Sequence, residues 1–460
     1  MNKKKYAIRI GLFLIPLTLF SSLSFSQEAW TLDSCVRYAI ENNIQIKQQA
    51  LNVNYGENQL KQSKYNLAPN LNAGVGHSFA YGKSLTQLNT YTNQNSQNSD
   101  ISLSTEVTLF NGMSKLNTVK AREFELQSAL QDLEKAKDDI SLAVAAAYLE
   151  ILFNKELVGS SKEQTLVTKQ QIEFNSKQVE AGVMAKGKLL ETESQLANEE
   201  LTLTNYENQL QLSLLNLMQL LEIQVTDSFD IVIPEFDANM LDGSLLNSEE
   251  VFNKAVAERP EILSKEYKLK SVEKESIIAK AQLYPSLSAG ASYYNNYNNQ
   301  YQKVVGYTSD IEPQPILEGI PFSEQIENNN RTQVYLSLRI PIFNGLQART
   351  NYNNSFINYE NSKHLLQDEK NKLRKEIEQV HLNAVSAMKK YYSSEKAVQS
   401  SEEAFRYVEE KFNLGIVTPL EYNDSKNKVF IAKSSYIQAK YEYIFRVKIL
   451  DFYNGIEITL

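Results

Sequence analysis

The sequence predicts a membrane β-barrel continued by a rod of long, paired coiled-coil helices, each built from two tandem structural repeats in one chain. Three observations predict it. Four anchors recur in the same order along the chain. Four segments of about ten residues, long enough for a tilted strand to cross a bilayer, carry an apolar residue at every second position. Two long stretches have almost no Pro or Gly and place apolar residues at heptad spacing.

The repeat comes first, because it orders everything else. Cys35-Val36-Arg37-Tyr38-Ala39-Ile40 matches Val251-Phe252-Asn253-Lys254-Ala255-Val256. Ala68-Pro69-Asn70-Leu71-Asn72-Ala73-Gly74 matches Tyr284-Pro285-Ser286-Leu287-Ser288-Ala289-Gly290. Thr108-Leu109-Phe110-Asn111-Gly112 matches Pro341-Ile342-Phe343-Asn344-Gly345, and Glu180-Ala181-Gly182-Val183 matches Asn413-Leu414-Gly415-Ile416. Residues 27–221 and 248–454 are the expected repeats. The segment 222–247 joins them and 455–460 forms a short tail.

Ahead of the repeats, Lys3, Lys4, Lys5 and Arg9 precede a short apolar run, Ile10 to Phe20, broken by Pro16. Ser24-Phe25-Ser26 closes it with small residues. Residues 1–26 are expected to be a signal peptide cut before Gln27; the run falls short of the roughly 20 residues a spanning helix needs. Leu32, Asp33 and Ser34 before Cys35 form no lipobox, so no lipid anchor is expected. A lone Cys cannot form an intrachain disulfide and reads as a small buried apolar residue of the first helix.

Each repeat reads as helix, strand, loop, strand, very long helix, tight tip and returning helix. Leu32 to Leu67 and Glu249 to Leu283 are helical, stopped by Pro69 and Pro285. Strands are expected at 71–82, 101–110, 286–297 and 332–342. Leu71, Ala73, Val75, His77 and Phe79 share one face, as do Ile101, Leu103, Thr105, Val107 and Leu109, and Val334, Leu336, Leu338, Ile340 and Ile342. One strand alone fits a soluble antiparallel sheet equally well. The polar loops Gly82 to Ser99 and Asn295 to Arg331 favour the barrel, because such loops suit its wet outer side. Tyrosines near the strand ends (Tyr81, Tyr293, Tyr294, Tyr297, Tyr335) fit an interfacial belt or ordinary solvent edges. Glu106 and Arg339 hold matching positions on the polar strand face, where they would face the lumen and could pair across neighbouring strands. Four strands cannot close a pore, and open edges inside lipid are forbidden, so copies must associate.

Lys115 to Ala181 contains no Pro and only Gly159, a helix on the order of 100 Å at 1.5 Å per residue. Its seam reads Leu126, Leu130, Leu133, Ile140, Val144, Ala147 and Ile151, interrupted by Lys137. The returning helix shows Leu196, Leu203, Leu210 and Leu217. The second repeat has Leu373, Ile377, Val380, Ala384, Ala387 and Tyr391, then Val398, Phe405 and Phe412. A 3.5-residue repeat pairs helices with a left-handed twist. Tips are expected near 182–187 and 414–418. Gly182 and Gly415 end their helices in the left-handed region, and Thr418, Pro419 and Glu421 form a capping-box pattern. Val183, Met184, Ile416 and Val417 would be odd on a free surface but make sense as an apolar docking knob.

With its two-fold repeat, the Pro before each first strand, the Phe-Asn-Gly turns and the two tips, the chain resembles the TolC-type outer membrane efflux family over nearly all of its length after residue 26. The resemblance implies a homotrimer with a twelve-stranded barrel continued by an α-helical periplasmic tunnel. An equatorial domain, to which 222–247 would contribute, surrounds the tunnel. It implies a location in the outer membrane of a Gram-negative bacterium, with a large periplasmic part. The implied function is the exit channel of a tripartite efflux pump or type I export system. Its implied partners are a periplasmic adaptor at the tips, an inner-membrane RND or ABC transporter and outer membrane lipid. It also implies that acids just after the second tip, here Glu421 and Asp424, line a periplasmic gate. Where many members carry an acid in the first tip this chain has Lys188. Either Lys188 bonds Glu421 of another hairpin, or the gate locks differently.

Composition excludes most chemistry. Three His and one Cys are too few for a zinc cluster, and a formal net charge of -8 argues against nucleic acid held by its phosphates. No nucleotide loop or triad is present, so neither an enzyme nor a cofactor is expected. The competing readings are a periplasmic adaptor, which would need a lipoyl-like β-domain and normally has one hairpin, and a coiled-coil scaffold without a pore.

Overall fold

The computed structural model describes residues 30–85, 89–225, 229–234, 245–456 and 458. The expected signal peptide lies outside the described residues, as do 226–228 and 235–244 of the joining segment and 457 and 459–460 of the tail.

The first repeat runs α1 (Leu32–Asn42), α2 (Ile44–Tyr65), β1 (Asn72–Leu85), β2 (Tyr91–Phe110), α3 (Ser114–Glu180) and α4 (Lys186–Leu220). The second runs α5 (Ser248–Glu258), α6 (Pro260–Ala281), β3 (Ser286–Asn298), β4 (Gln302–Tyr307), β5 (Pro315–Gly319), α7 (Phe322–Asn328), β6 (Arg331–Arg339), α8 (Gln347–Asn413) and α9 (Pro419–Tyr453). Matching helices have equal lengths of 11, 22, 67 and 35 residues. Equivalent helices before the strands are offset by 216 residues and those after them by 233. The 17-residue difference falls between β3 and β6, where β4, β5 and α7 occur once only.

The repeat extends into the core. One buried cluster joins Val251, Ala255, Ile262, Leu373, Ile377 and Leu450. Their equivalents Cys35, Ala39, Ile46, Ile140, Val144 and Leu217 all belong to the other. Cys35 therefore stands where the second repeat has Val251. Burial pushes its thiol up to about 12, so it behaves as a small apolar group. The first cluster is larger because the joining segment adds Phe229 and Ile231, and α9 adds Ile437 and Ile444. Here Trp30 and Ile231 form a parallel bridge, and the Tyr148 hydroxyl donates to the Val232 carbonyl at 2.6 Å.

Each long helix starts from a strained turn. Gly112 and Met113 are both left-handed (φ 64° each), as are Gly345 (62°) and Leu346 (65°). Two such residues in succession turn the chain from strand to helix, a conformation that β-substituted residues such as Met113 and Leu346 adopt only at a cost. Every predicted seam residue of α3, α4 and α8 is buried or half-buried, with Val144, Ile151, Ile377 and Ala384 fully enclosed. The first part of α3 packs on α2 and α6, and its later part on α4 and α9.

The sheet is antiparallel in the order β1-β2-β3-β6. Its register puts Val75 beside Ile101, Leu103 beside Tyr293, Val107 beside Ala289, and Ala289 beside Leu336. One face is thus a continuous apolar surface, with Val75, Val334, Leu336 and Leu338 exposed. The opposite face carries Ser102, Ser104, Glu106, Ser288, Ser292, Ser337 and Arg339. Among the described residues, the outer edges of β1 and β6 have no strand partner.

Two segments expected as loops are ordered. β1 continues to Leu85 and β2 starts at Tyr91. This hairpin carries Asn, Ser, Thr and Gln on both faces, so it lacks the one-sided pattern that marks a strand in sequence. In the other, the fully buried Gln325 donates to the carbonyls of Ile320 (2.7 Å) and Asn298 (2.9 Å) and accepts from the Asn298 N–H (2.9 Å). It pins α7 to the end of β3 as a ladder partner would. Lys303 pairs with Glu324 at 2.6 Å, holding β4 to α7.

Gly290 lies between Glu106 and Tyr335, and the Tyr335 hydroxyl donates across it to the Glu106 carboxylate at 3.1 Å. A Cβ at Gly290 would meet the Tyr335 ring and the Thr105 carbonyl. Gly290→Val is expected to lower stability by about 1–3 kcal/mol. Adding Tyr335→Ala should recover part of the loss, read as the midpoint of thermal unfolding in detergent.

Candidate functional site at the hairpin tips

The two tips close by the same backbone device. The Gly182 N–H donates to the Val179 carbonyl and the Val183 N–H to that of Gln178, each at 3.0 Å; Gly415 donates to Phe412 and Ile416 to Lys411, each at 2.9 Å. These paired bonds require a left-handed residue, and Gly182 (φ 73°) and Gly415 (φ 72°) supply it. Only the second return is capped by a side chain. The Glu421 N–H donates to Thr418 Oγ1 at 3.3 Å and the Thr418 N–H to Glu421 Oε2 at 3.0 Å, with Pro419 opening the helix. α4 starts after Ala185 without such a bond.

Val183 and Ile416 are 78% and 68% exposed, while Met184 and Val417 are half-buried. Leu414 and Leu420 add 75% and 73% exposed side chains to the same tip. Sequence reading missed them, although apolar residues flanking a tip glycine are a usable signal.

Glu421 is exposed, and its carboxylate is engaged in the cap. Asp424, also exposed, pairs with Lys428 one turn on, at 2.7 Å. Lys188 is exposed in the first turn of α4 and, among the described residues, makes no ion pair with Glu421 within the chain. The lumen-face pairing of Glu106 with Arg339 does not occur within the chain. Glu106 bonds Tyr335, whereas Arg339 stands beside Ser286, four positions along β3 from Gly290. Matching repeat positions lie on strands separated by β3, so they are not neighbours.

Just beyond Asp424 lies a buried polar cluster that joins the two hairpins. Lys426 of α9 and Glu199 of α4 are both buried and 3.5 Å apart. The Lys426 ammonium donates to Thr168 Oγ1 of α3 (2.5 Å) and to the Gln164 carbonyl (3.2 Å). Glu199 accepts from Thr168 (2.5 Å), Gln164 (3.0 Å) and Gln195 (3.0 Å), and both glutamine amides also reach Asn427. Burial lowers the Lys426 pKa, and the Glu199 charge opposes that shift. Beside it Tyr422 stacks on Phe412 (4.5 Å) and leans on Phe405 (5.3 Å), and burial pushes its hydroxyl up to about 12. A cleft of about 390 Å³ between α3, α8 and α9 is lined by Glu163, Phe405, Arg406, Tyr422, Lys426 and Lys433. Among the described residues, no three His, Cys, Asp or Glu side chains gather as a metal site.

Removing one member of a buried pair strands the other's charge. Lys426→Ala is expected to cost about 3–5 kcal/mol. Lys426→Met with Glu199→Leu should restore most of it, as followed by helical circular dichroism during denaturant unfolding.

The family model described as outer membrane efflux protein matches residues 36–222 and 251–452, one match per repeat. Solved structures of similar fold include the outer membrane channel CmeC of Campylobacter jejuni, at 16% identity and TM-score 0.73, covering 99% of this chain and 95% of that one. The outer membrane protein VceC of Vibrio cholerae matches at 14% identity and TM-score 0.73, covering 92% and 96%. The open state of the MtrE outer membrane channel of Neisseria gonorrhoeae matches at 16% identity and TM-score 0.68, covering 92% and 89%. At these identities the likeness is one of fold. None of the curated proteins matches the chain.

Proposed function

The chain belongs to the outer membrane efflux protein family, and from that premise we propose that three copies form one gated conduit, fed by an inner-membrane transporter through a periplasmic adaptor. The observation that carries this reading is the sheet. Its apolar face is exposed, both edges are open, and it runs directly into two helices on the order of 100 Å long. Three four-stranded sheets give twelve strands and leave no edge in lipid. A pore-free scaffold leaves the apolar face without a purpose.

The exposed apolar tips around Val183, Met184, Ile416 and Val417 suit an adaptor surface, with Gly182 and Gly415 setting their shape. Glu421 and Asp424 lie three positions apart in the first turns of α9, so three copies would place two acidic rings at the narrow end. Such rings attract cations and hold back anions. Lys188, without an ion pair to Glu421 in its own chain, is available to the Glu421 of a neighbouring copy. The Lys426–Glu199 cluster ties the first hairpin to α9 just above the gate, so the gate's movable part is the segment below it. The conduit performs no covalent chemistry. The energy comes from the transporter, of RND or ABC type, and Glu106 and Arg339 line the watery interior of the barrel.

Single-channel recording in a planar lipid bilayer tests the reading. The expected result is a small, cation-biased conductance that rises when Glu421 and Asp424 are both replaced by Ala. Unchanged conductance would move the gate elsewhere. No channels from folded, oligomeric protein would remove the conduit.

A further inference from the structure

The chain contains one seam between repeats, and that seam is a template for the seam between copies. Within the chain, β2 pairs with β3 and α3 packs on α6. Shifting β2 and α3 by 233 residues gives β6 and α8, and shifting β3 and α6 by 216 gives β1 and α2. These are the elements left with open edges. We propose that β6 of one copy pairs with β1 of the next in the register that puts Arg339 opposite Gly74 of the partner subunit, where Arg339 forms an ion pair with Asp100 of the partner subunit. This rests on the reading that copies close a barrel, and adds the residue-by-residue register and a charge contact.

The register follows by transfer. Glu106 beside Gly290 becomes Arg339 beside the partner's Gly74; Ile101 beside Asn295 becomes Val334 beside the partner's Phe79; Ser102 beside Tyr294 becomes Tyr335 beside the partner's Ser78. β1 rises where β6 descends, so the pairing is antiparallel like the other three.

Three observations support the transfer. The first is the helices. Ser128 and Ser264 bond at 3.0 Å and Lys268 pairs with Glu125 at 3.3 Å across the intrachain seam. Their equivalents are Asn361 with Gln48 and Asn358 with Asn52, again polar at both positions, and all four are exposed in the single chain. The second is the bare apolar surface: Leu51 and Tyr55 on α2 and Ile357 and Leu365 on α8 are each more than half exposed, at 65%, 66%, 62% and 53%. The third lies on the polar sheet face. At the intrachain seam Tyr335 reaches across Gly290 to Glu106. At the transferred seam the corresponding residues are Ser102, Gly74 and Arg339. Ser102 is short: only its hydroxyl oxygen lies over Gly74, where a whole tyrosine ring lies over Gly290, so a guanidinium has far less side chain to pass. The acid within its reach is Asp100, whose carboxylate already lies over Gly76 towards the open edge of β1, so close that a Cβ there would collide with it. Strands lie about 4.8 Å apart, and an extended Arg spans the two-strand step.

Paired cysteines in the intact membrane test the register, with the native Cys35 buried and out of the way. Val334→Cys with Phe79→Cys, and Tyr335→Cys with Ser78→Cys, sample both faces of the ladder. Each is expected to give disulfide-linked dimers and trimers on oxidation, while Val334→Cys with His77→Cys or with Tyr81→Cys should not. Linkage of a shifted pair instead would overturn the register and leave the barrel standing. No linkage from any pair would overturn the closure of copies itself. For the ion pair, Asp100→Ala is expected to lower the temperature at which detergent-resistant trimers separate, and Asp100→Arg with Arg339→Asp to regain it. A swap that regains nothing overturns the contact.

Discussion

A β-sheet in hydrocarbon cannot leave its backbone donors and acceptors unpaired. This chain builds a sheet with an apolar outer face and two open edges, and that combination is unstable alone. The constraint propagates downwards. Each strand runs through a Phe-Asn-Gly turn or a Pro-stopped helix into the rods below, so closing the sheet also sets the spacing of the helices. The bare stripes on α2 and α8 become contact surfaces for the same reason that β1 and β6 become paired strands. Assembly is therefore part of folding, because the chain's lowest-energy surfaces exist only between copies.

The hairpins obey a different rule. In the sheet, polar residues face water and apolar residues face outward. In the lower hairpins the seam thins: Thr168, Asn175, Thr192, Glu199 and Lys426 are buried where higher up the seam has Val144, Ile151 and Leu217. Buried polar groups are held by specific partners at specific distances, whereas apolar side chains pack in many ways. A polar seam is thus more exacting and, once its bonds are broken, more readily parted by water. That property suits the part below the Lys426–Glu199 tie, where Asn175 and Thr192 meet near the first tip, and in the second hairpin Phe405 and Phe412 pack on Tyr422 at the same level.

Much of this was legible in the sequence. The repeat, the apolar strand face, the heptad seam and the glycine tips all depend on local spacing, and Ile140, Val144, Ile377 and Ala384 sit where periodicity puts them. What was not legible depends on distance or on water. Tyr91 to Asn98 pairs as a strand with polar residues on both faces, so its ladder leaves no trace in hydropathy. Gln325 looked like one polar residue among many, and its role appears only once α7 folds back on β3. The Lys426–Glu199 contact unites three helices, and no short-range pattern joins residues so far apart. Glu106 has Tyr335 as partner because β3 lies between β2 and β6, and strand order is invisible in repeat alignment.

The 17-residue difference between the two offsets arises at the outer end of the sheet, where the second repeat has β4, β5 and α7 and the first has the extended β1–β2 hairpin. Lower down, each chain contributes two near-equal units of helix length 22, 67 and 35, so a closed assembly of three chains has almost six-fold rotational order through its walls. At the mouth that order falls to three, with three built-up sectors alternating with three plain hairpins. A molecule approaching from outside therefore meets a rim with three distinct sectors, while the helical walls below repeat one kind of unit six times.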